Sequence, residues 1–176
     1  MDTPSPSDTS PIRLVAPDAG YRDSYLEAIR EFQGEGRHHD LDLDWLSRDF
    51  ARYVESLRHP LLTVAMVPYS NLWMVDEEGY AGRVSLRHVL NDHLFRIGGH
   101  IGYEVRPSRR RRGYGTAALR LTLPLAAELG IDPALVTCDV DNVGSRRIIE
   151  ANGGVLENEL DGKLRFWVPT GAQASS

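Results

Sequence analysis

The sequence predicts an α/β protein, a mixed sheet with helices on both faces and the element order β-α-α-β-β-β-α-β-α-β-β. Three observations carry that reading. Before Ser70 apolar residues recur at helical spacing in two long stretches; from Ser70 the period shortens to that of strands; beyond Arg112 helical and strand patterns alternate. With 176 residues, 41% of them hydrophobic and 26% charged, the chain has the balance of one globular domain with a sizeable core.

The elements follow in order. "PIRLVAP", Pro11 to Pro17, reads as a short strand bounded by prolines. "DAGYRDSYLEAIREF" begins at a candidate N-cap, Asp18, and sets Tyr21, Tyr25, Ile29 and Phe32 at helical spacing. "GEGRHHDLD" is a loop. "LDWLSRDFARYVESL" returns to the helical period, with Leu43, Leu46, Phe50, Tyr53, Val54 and Leu57 on one side. "NLWMVDEEGYAGRVSLRHVL" is a hairpin about the turn "DEEG", and "GGHIGYEVRP" is a third strand ended by Pro107. "RRGYGTAALRLTLPLAAELG" is a helix with Leu119, Leu123, Ala126 and Ala127 on one face, Gly130 as its C-cap and a kink expected at Pro124. "PALVTCDV" is a buried strand, "DNVGSRRIIEANGG" a short helix capped by Asn142, and "GKLRFWVP" the closing strand of the final pair.

Composition excludes several classes. A formal net charge of -5 argues against a surface devoted to nucleic acid. The single cysteine, Cys138, allows no intrachain disulfide and suits a reducing cytoplasm. No apolar run is long enough to span a membrane, and the opening "MDTPSPSDTSP" has no basic region or apolar segment of a secretory signal. Its Pro, Ser, Thr and Asp content makes residues 1–11 a disordered leader. Residues 12–169 form the domain and 170–176 a flexible tail.

The most informative stretch is "RPSRRRRGYGTAALR", Arg106 to Arg120, where Arg106, Arg109, Arg110, Arg111 and Arg112 precede a Gly-x-Gly at the mouth of a helix. The first N–H groups of a helix lack intrahelical partners and, with the macrodipole, attract anions. Gly113 and Gly115 let the backbone approach a ligand, and guanidinium groups match phosphate oxygens. Cations at that helix end oppose the dipole, a conflict that a bound diphosphate removes. A P-loop is excluded by the absence of a lysine there, and a dinucleotide fingerprint by the turn's position after a hairpin. A nucleic-acid module would need interleaved aromatics or a second basic surface.

These residues carry a resemblance. "VRPSRRRRGYG", followed by a helix, a strand and "DNVGSRRIIEANGG", is similar to the GNAT superfamily of acyl-CoA-dependent N-acyltransferases. Its signature Arg/Gln-x-x-Gly-x-Gly/Ala is met by Arg110, Gly113 and Gly115, and the order of elements matches that fold from Ile12 to Val168. "SLRHVLN", "GGHIGY" and "NGGVLE" resemble one subgroup of uncharacterised predicted acetyltransferases. The resemblance implies a GNAT fold and acetyl-CoA as co-substrate. Its pyrophosphate would lie on the N–H groups of Arg111, Arg112, Gly113, Tyr114, Gly115 and Thr116, with Arg106 and Arg110 close by. The pantetheine would run along Tyr103 and Val105, and Asn142 and Ser145 would touch the pantetheine or adenosine end. An amine of a small molecule or peptide would attack the thioester directly, with the Val105 N–H holding the oxyanion. The resemblance also admits a homodimer, and it calls for no metal, membrane or nucleic acid.

One position departs from the family. Many members carry a tyrosine acid seven residues after the Asn of the last helix, and here that residue is Ile149. A thiolate leaves without much help near neutral pH, so catalysis survives the loss. The alternative it raises is a catalytically silent acyl-CoA sensor. For the general base, His100, Glu104 and Tyr103 on the third strand are the candidates. Alternation puts His100, Gly102 and Glu104 on one face, the two acid–base groups ~7 Å apart with room for a water. His88 is a candidate for the acceptor pocket. Glu27, Glu31, Asp40, Asp42 and Asp44, on segments that would line that pocket, would suit a cationic acceptor or simply a solvated face. Cys138 reads as core, and "RHHD" (Arg37 to Asp40) has too few convergent ligands for a metal site.

Overall fold

The computed structural model describes residues 10–62 and 66–171; the expected leader and tail lie largely outside them. The elements are β1 (Arg13–Val15), α1 (Arg22–Gly34), α2 (Leu43–Arg58), β2 (Tyr69–Asp76), β3 (Gly79–Arg87), β4 (Ile101–Val105), α3 (Tyr114–Glu128), β5 (Ala134–Asp139), α4 (Val143–Ala151), β6 (Val155–Leu160) and β7 (Lys163–Val168). Their order is the one expected.

Local chemistry sets the boundaries. The Asp18 carboxylate accepts from Gly20 N and opens the turn before α1, and Asp42 caps α2 by accepting from Asp44 N and Trp45 N. α3 continues through Pro124 as one helix, and the exposed proline removes a single backbone donor. It ends where Gly130, at φ +78°, lets the N–H groups of Gly130 and Ile131 reach Ala127 O and Ala126 O. Asn142 caps α4 by accepting from Ser145 N.

The sheet divides. One part is four-stranded, β1-β2-β3-β4, the other three-stranded, β5-β7-β6, and every pairing in both is antiparallel. They touch at the start of β4, where His100 N donates to Leu135 O at 2.7 Å and Leu135 N donates to His100 Nδ1 at 2.9 Å. Past that root β4 and β5 form no ladder.

Helices cover both faces. Tyr25, Ile29 and Phe32 of α1 and Leu46, Phe50 and Val54 of α2 pack with Trp73, Val75 and Tyr80 on one side. On the other, Leu119, Leu123 and Ala126 of α3 pack with Met74, Val84, Leu86 and the inner face of β5 and β7. Burying a side chain of this size is worth ~1.5–3 kcal/mol, and the second cluster also takes in Ile101, Tyr103 and Val105, which ties β4 to α3.

Candidate active site

Where β4 and β5 part, a cleft of about 710 Å³ opens, lined by β4, the turn Arg109–Thr116 and the start of α4. Its polar surface joins side chains of the turn and of α4 to backbone groups of β4. Arg106 N donates to Ala81 O at 2.8 Å. Peptide groups in a strand point alternately to either side, so those of Glu104 and Gly102 also face β3. Those of Tyr103 and Val105 point the other way, into the gap. The β3–β4 ladder runs from Leu86↔Ile101 to Gly82↔Val105 without a register shift, so the alternation holds throughout. At the helix end, among the described residues, the N–H groups of Arg111, Arg112 and Gly113 have no acceptor in the protein.

The two glycines of the turn serve different ends. Gly113 sits at φ +77° with open space where a Cβ would be, so its backbone conformation requires it. A Cβ on Gly115 would come 2.5 Å from Ile148 Cδ1, so this glycine brings α3 against α4 rather than against a ligand. Arg111 also holds a left-handed φ of +61°.

The five arginines of this stretch separate into groups. Arg106 is buried; it donates to Glu31, Glu27 and the carbonyls of Tyr80 and Ser24, and it does not line the cleft. Arg109, 9% exposed in its side chain, is tied to Asp76 and Glu78 of the hairpin turn. Arg110 makes a two-pronged pair with Glu35, both partly exposed at the cleft rim. Arg111 reaches the cleft without an acid partner among the described residues, and Arg112 is exposed beside it. The dipole conflict inferred from sequence is therefore met mainly by carboxylates from α1 and the hairpin. Glu27 and Glu31 belong to that set, and Asp42 to a helix cap, so these acids do not furnish a cationic-acceptor pocket.

Burial would raise the Asp76 carboxyl, but hydrogen bonds from Tyr114 and Arg109 and the Glu78 N–H hold it below the usual carboxylate range. Glu31 is likewise held low against burial, by Arg106 and Ser108.

On the opposite face of β4 lies a second cleft of about 510 Å³. Arg37, Tyr103 and Glu104 line both clefts, so the two meet there. Glu104, 8% exposed in its side chain, accepts from His38 Nε2 at 2.9 Å and Arg83 Nε at 3.0 Å and is paired with Arg37. Burial would raise its carboxyl; the Arg83 charge and the His38 hydrogen bond outweigh burial and hold it below the ordinary range. Across β4 the Tyr103 hydroxyl bonds Ser145 Oγ at 2.8 Å, and burial pushes the phenol up to about 12.

The structure thus brings Tyr103, Glu104, Val105, Arg110, Arg111, Gly113, Tyr114, Gly115, Thr116, Asn142 and Ser145 around one cleft. His100 lines neither cleft. Its Nδ1 accepts from Leu135 N at the sheet root, and burial and the Arg87 charge lower its pKa, so the water-bridged His100–Glu104 pair inferred from alternation is not formed. His88 bonds Ser70 Oγ at 2.8 Å and also lies outside the second cleft, where His93 stands. Ile149 is fully buried, and Cys138 is buried, as a core thiol should be. Sequence reasoning missed Arg37, His38, Arg83, Arg87 and His93. In the "RHHD" loop His38, at φ +54°, brings its imidazole to Glu104, a placement with no local sequence signal. Among the described residues no His/Cys/Asp/Glu group could hold a metal ion, and no helix is long and apolar enough to cross a membrane.

Two sheets splayed about an arginine–glycine turn, with helices on both faces, are the arrangement expected of a coenzyme A-dependent N-acyltransferase. Residues 27–155 match the acetyltransferase (GNAT) domain, and the chain belongs to that family of N-acetyltransferases. Several solved structures share its fold. Mycobacterium smegmatis RimJ in complex with CoA-disulfide is 17% identical, with 91% of this chain and 86% of that one covered at a TM-score of 0.64. The microcin C7 self-immunity acetyltransferase MccE, in complex with acetyl-CoA and AMP, is 16% identical over 94% and 97% of the two chains at 0.64. A Salmonella typhimurium acetyltransferase that modifies the N-terminal serine of ribosomal protein L7/L12 is 15% identical over 93% and 97% at 0.59. No curated protein sequence matches the chain.

Proposed function

We propose that the chain transfers an acetyl group from acetyl-CoA to the amine of a small molecule or peptide by direct attack, in the cytoplasm. The observation that carries this reading is the meeting of two clefts, from opposite faces of β4, at Tyr103 and Glu104. Acetyl-CoA supplies an activated acyl thioester; similar folds have been solved with acetyl-CoA and with CoA-disulfide. The donor set of the first cleft fits it. The free N–H groups of Arg111–Gly113 and the first turn of α3 would cradle a diphosphate, with Arg110 and Arg111 as counter-charges. The edge of β4 at Tyr103 and Val105 would receive the amides of a pantetheine arm as a neighbouring strand does. Val105 N–H is then the donor for negative charge developing on a carbonyl oxygen.

Glu104 is ionised throughout the physiological range and takes the role of positioning the incoming ammonium and accepting its proton, directly or through one water. Its depressed pKa makes it a weak base, so the proton is passed on to solvent rather than stored. Tyr103, held protonated, and Ser145 present hydroxyls to a departing sulfur, in place of a phenol at Ile149. The silent-sensor alternative has no feature in its favour beyond that isoleucine.

Calorimetric titration with acetyl-CoA, followed by thiol release with a panel of amines, tests the reading. The expected result is binding weakened by loss of Arg110 and Arg111 and turnover with at least one amine. Binding without turnover on any amine would return the sensor; no binding would remove both.

A further inference from the structure

The second cleft is cationic. Arg83, Ser85 and Arg87 alternate along β3 onto one face, and their β4 neighbours on that face are Glu104 and Gly102. With Arg37 and His93 at the walls, three guanidinium groups stand against the single carboxylate of Glu104. Arg37 and Arg83 are both paired with that carboxylate. Arg87 has no acid partner among the described residues. Its Nη1 donates to the carbonyls of Gly98 and Gly99 at 3.1 and 3.0 Å, which fixes the guanidinium and leaves Nε and Nη2 without an acceptor there. The group lies over Gly102, where a Cβ would come 3.7 Å from both terminal nitrogens. Gly102 is two residues before Glu104, so the Arg87 head sits roughly 7 Å along the strand from the point where the clefts meet.

Resting on the acceptor reading of this cleft, we propose that the acceptor is an anionic amine. It carries a carboxylate or phosphate within about 7 Å of its nitrogen, the anion bound by Arg87 and the nitrogen placed at Glu104. An anion on Arg87 supplies the partner that the fold withholds, and charge-assisted, two-pronged contact is what a fixed guanidinium offers carboxylate and phosphate. Burial and the neighbouring Arg83 charge both push Arg87 below its ordinary value, a bias that an anion reverses. A cationic acceptor would meet the opposite field. Gly102 keeps the space above β4 open for the chain between anion and nitrogen.

The test separates binding from turnover, so that this inference and the acyl-transfer reading fail independently. The CoA-loaded protein is titrated calorimetrically with 3-aminopropanoate, 2-aminoethyl phosphate, ethanolamine and 1,3-diaminopropane. A peptide arm uses short peptides with a Ser N-terminus followed by Glu, Ala or Lys. The two arms distinguish a small-molecule acceptor from an acidic N-terminal segment as the source of the anion. The expected result is tighter binding of the anionic member in at least one arm, by roughly 10-fold or more. Arg87→Gln should weaken that member by roughly 10- to 100-fold and leave ethanolamine and the Ala peptide, which lack the added acid group, unchanged. Arg87→Glu should shift preference to the cationic member. Arg87→Lys, which keeps charge but loses the fork, controls for folding and should retain part of the preference. Equal or better binding of the probes that lack the acid group, no binding of any probe, or an anion preference that survives Arg87→Gln would each overturn the proposal. Failure of every amine to release thiol, with the binding preference intact, would strike the transfer reading alone.

Discussion

The two clefts that meet at β4 are built by different means. The first sets main-chain donors, at the open edge of β4, a turn and two helix ends, beside the side chains of Arg110 and Arg111. The second takes its character from side chains, Arg37, Arg83, Arg87 and Glu104, which come from two neighbouring strands and a loop far before them in sequence. A backbone site tolerates change in its side chains as long as its geometry survives, whereas a side-chain site changes with each substitution. That division suits an enzyme family with one common acyl donor and varied acceptors.

The comparison is most exposed at Glu104, which serves both clefts. Glu104→Gln preserves shape and removes the charge that Arg37 and Arg83 share and that His38 bonds. The proposed role predicts a fall in kcat of about 100- to 10,000-fold with the affinity for acetyl-CoA little changed, read by single-turnover thiol release beside calorimetry. An equal loss of cofactor affinity would mean that Glu104 holds the first cleft together and does no chemistry. Because the carboxyl is held below its usual range, no acid limb from this group should appear in the rate as pH falls from 8 to about 5.

Next in size is Arg109→Ala. It strips a nearly buried carboxylate, Asp76, of its cation and leaves the Tyr114 and Glu78 hydrogen bonds. Breaking a buried pair costs roughly 3–5 kcal/mol, measured as a shift in the urea midpoint at pH 7. The sign with pH follows from the depressed folded-state pKa of Asp76. Its contribution is complete above the unfolded value and is lost as pH falls through the folded one, so the difference between wild type and variant should shrink in acid. A constant difference down to strong acid would place the effect in lost packing.

These two residues also mark what sequence could disclose. The arginine-rich turn, its helix and the Asn142 cap are contiguous or regularly spaced, so the cleft they make was legible, as was the order of every element. The apportioning of the arginines was not: whether Arg106 faces a phosphate or Glu31 depends on where α1 lies, a tertiary fact without a local signal. His100 lies outside both clefts for the same reason. Alternation along β4 put it beside Glu104, but the contact with Leu135 at the sheet root takes its ring away. The Glu104 cluster draws on Arg37 and His38 from a loop with no periodicity to place it. The division of the sheet was hidden too, since the residues that would have paired β4 with β5 are ordinary strand formers.

Gly115 gives a smaller and more specific test of the first cleft. Gly115→Val drives a branched side chain against Ile148 and should cost about 1–3 kcal/mol by overpacking, with weakened acetyl-CoA binding as α4 is displaced. Adding Ile148→Ala should recover part of both losses, a coupling read from the double-mutant cycle. Without recovery, Gly115 would be there for close approach of the ligand after all.

The smallest expected effect on stability is at Arg111, and it has an unusual sign. A non-glycine residue in the left-handed region costs roughly 1–2 kcal/mol of backbone strain, while glycine there forfeits part of the gain through the entropy of the unfolded chain. Arg111→Gly should therefore leave the melting temperature unchanged or raise it slightly. If Arg111 is kept for its cation at the cleft, the same substitution should weaken acetyl-CoA binding by roughly 10-fold, and the loss should narrow as added salt screens the contact. Dephospho-CoA, which retains the diphosphate, should show the same loss. A stability that rises with no change in affinity would leave the strain at this position without a purpose in the cleft, and would shift the counter-charge of the backbone site onto Arg110 alone.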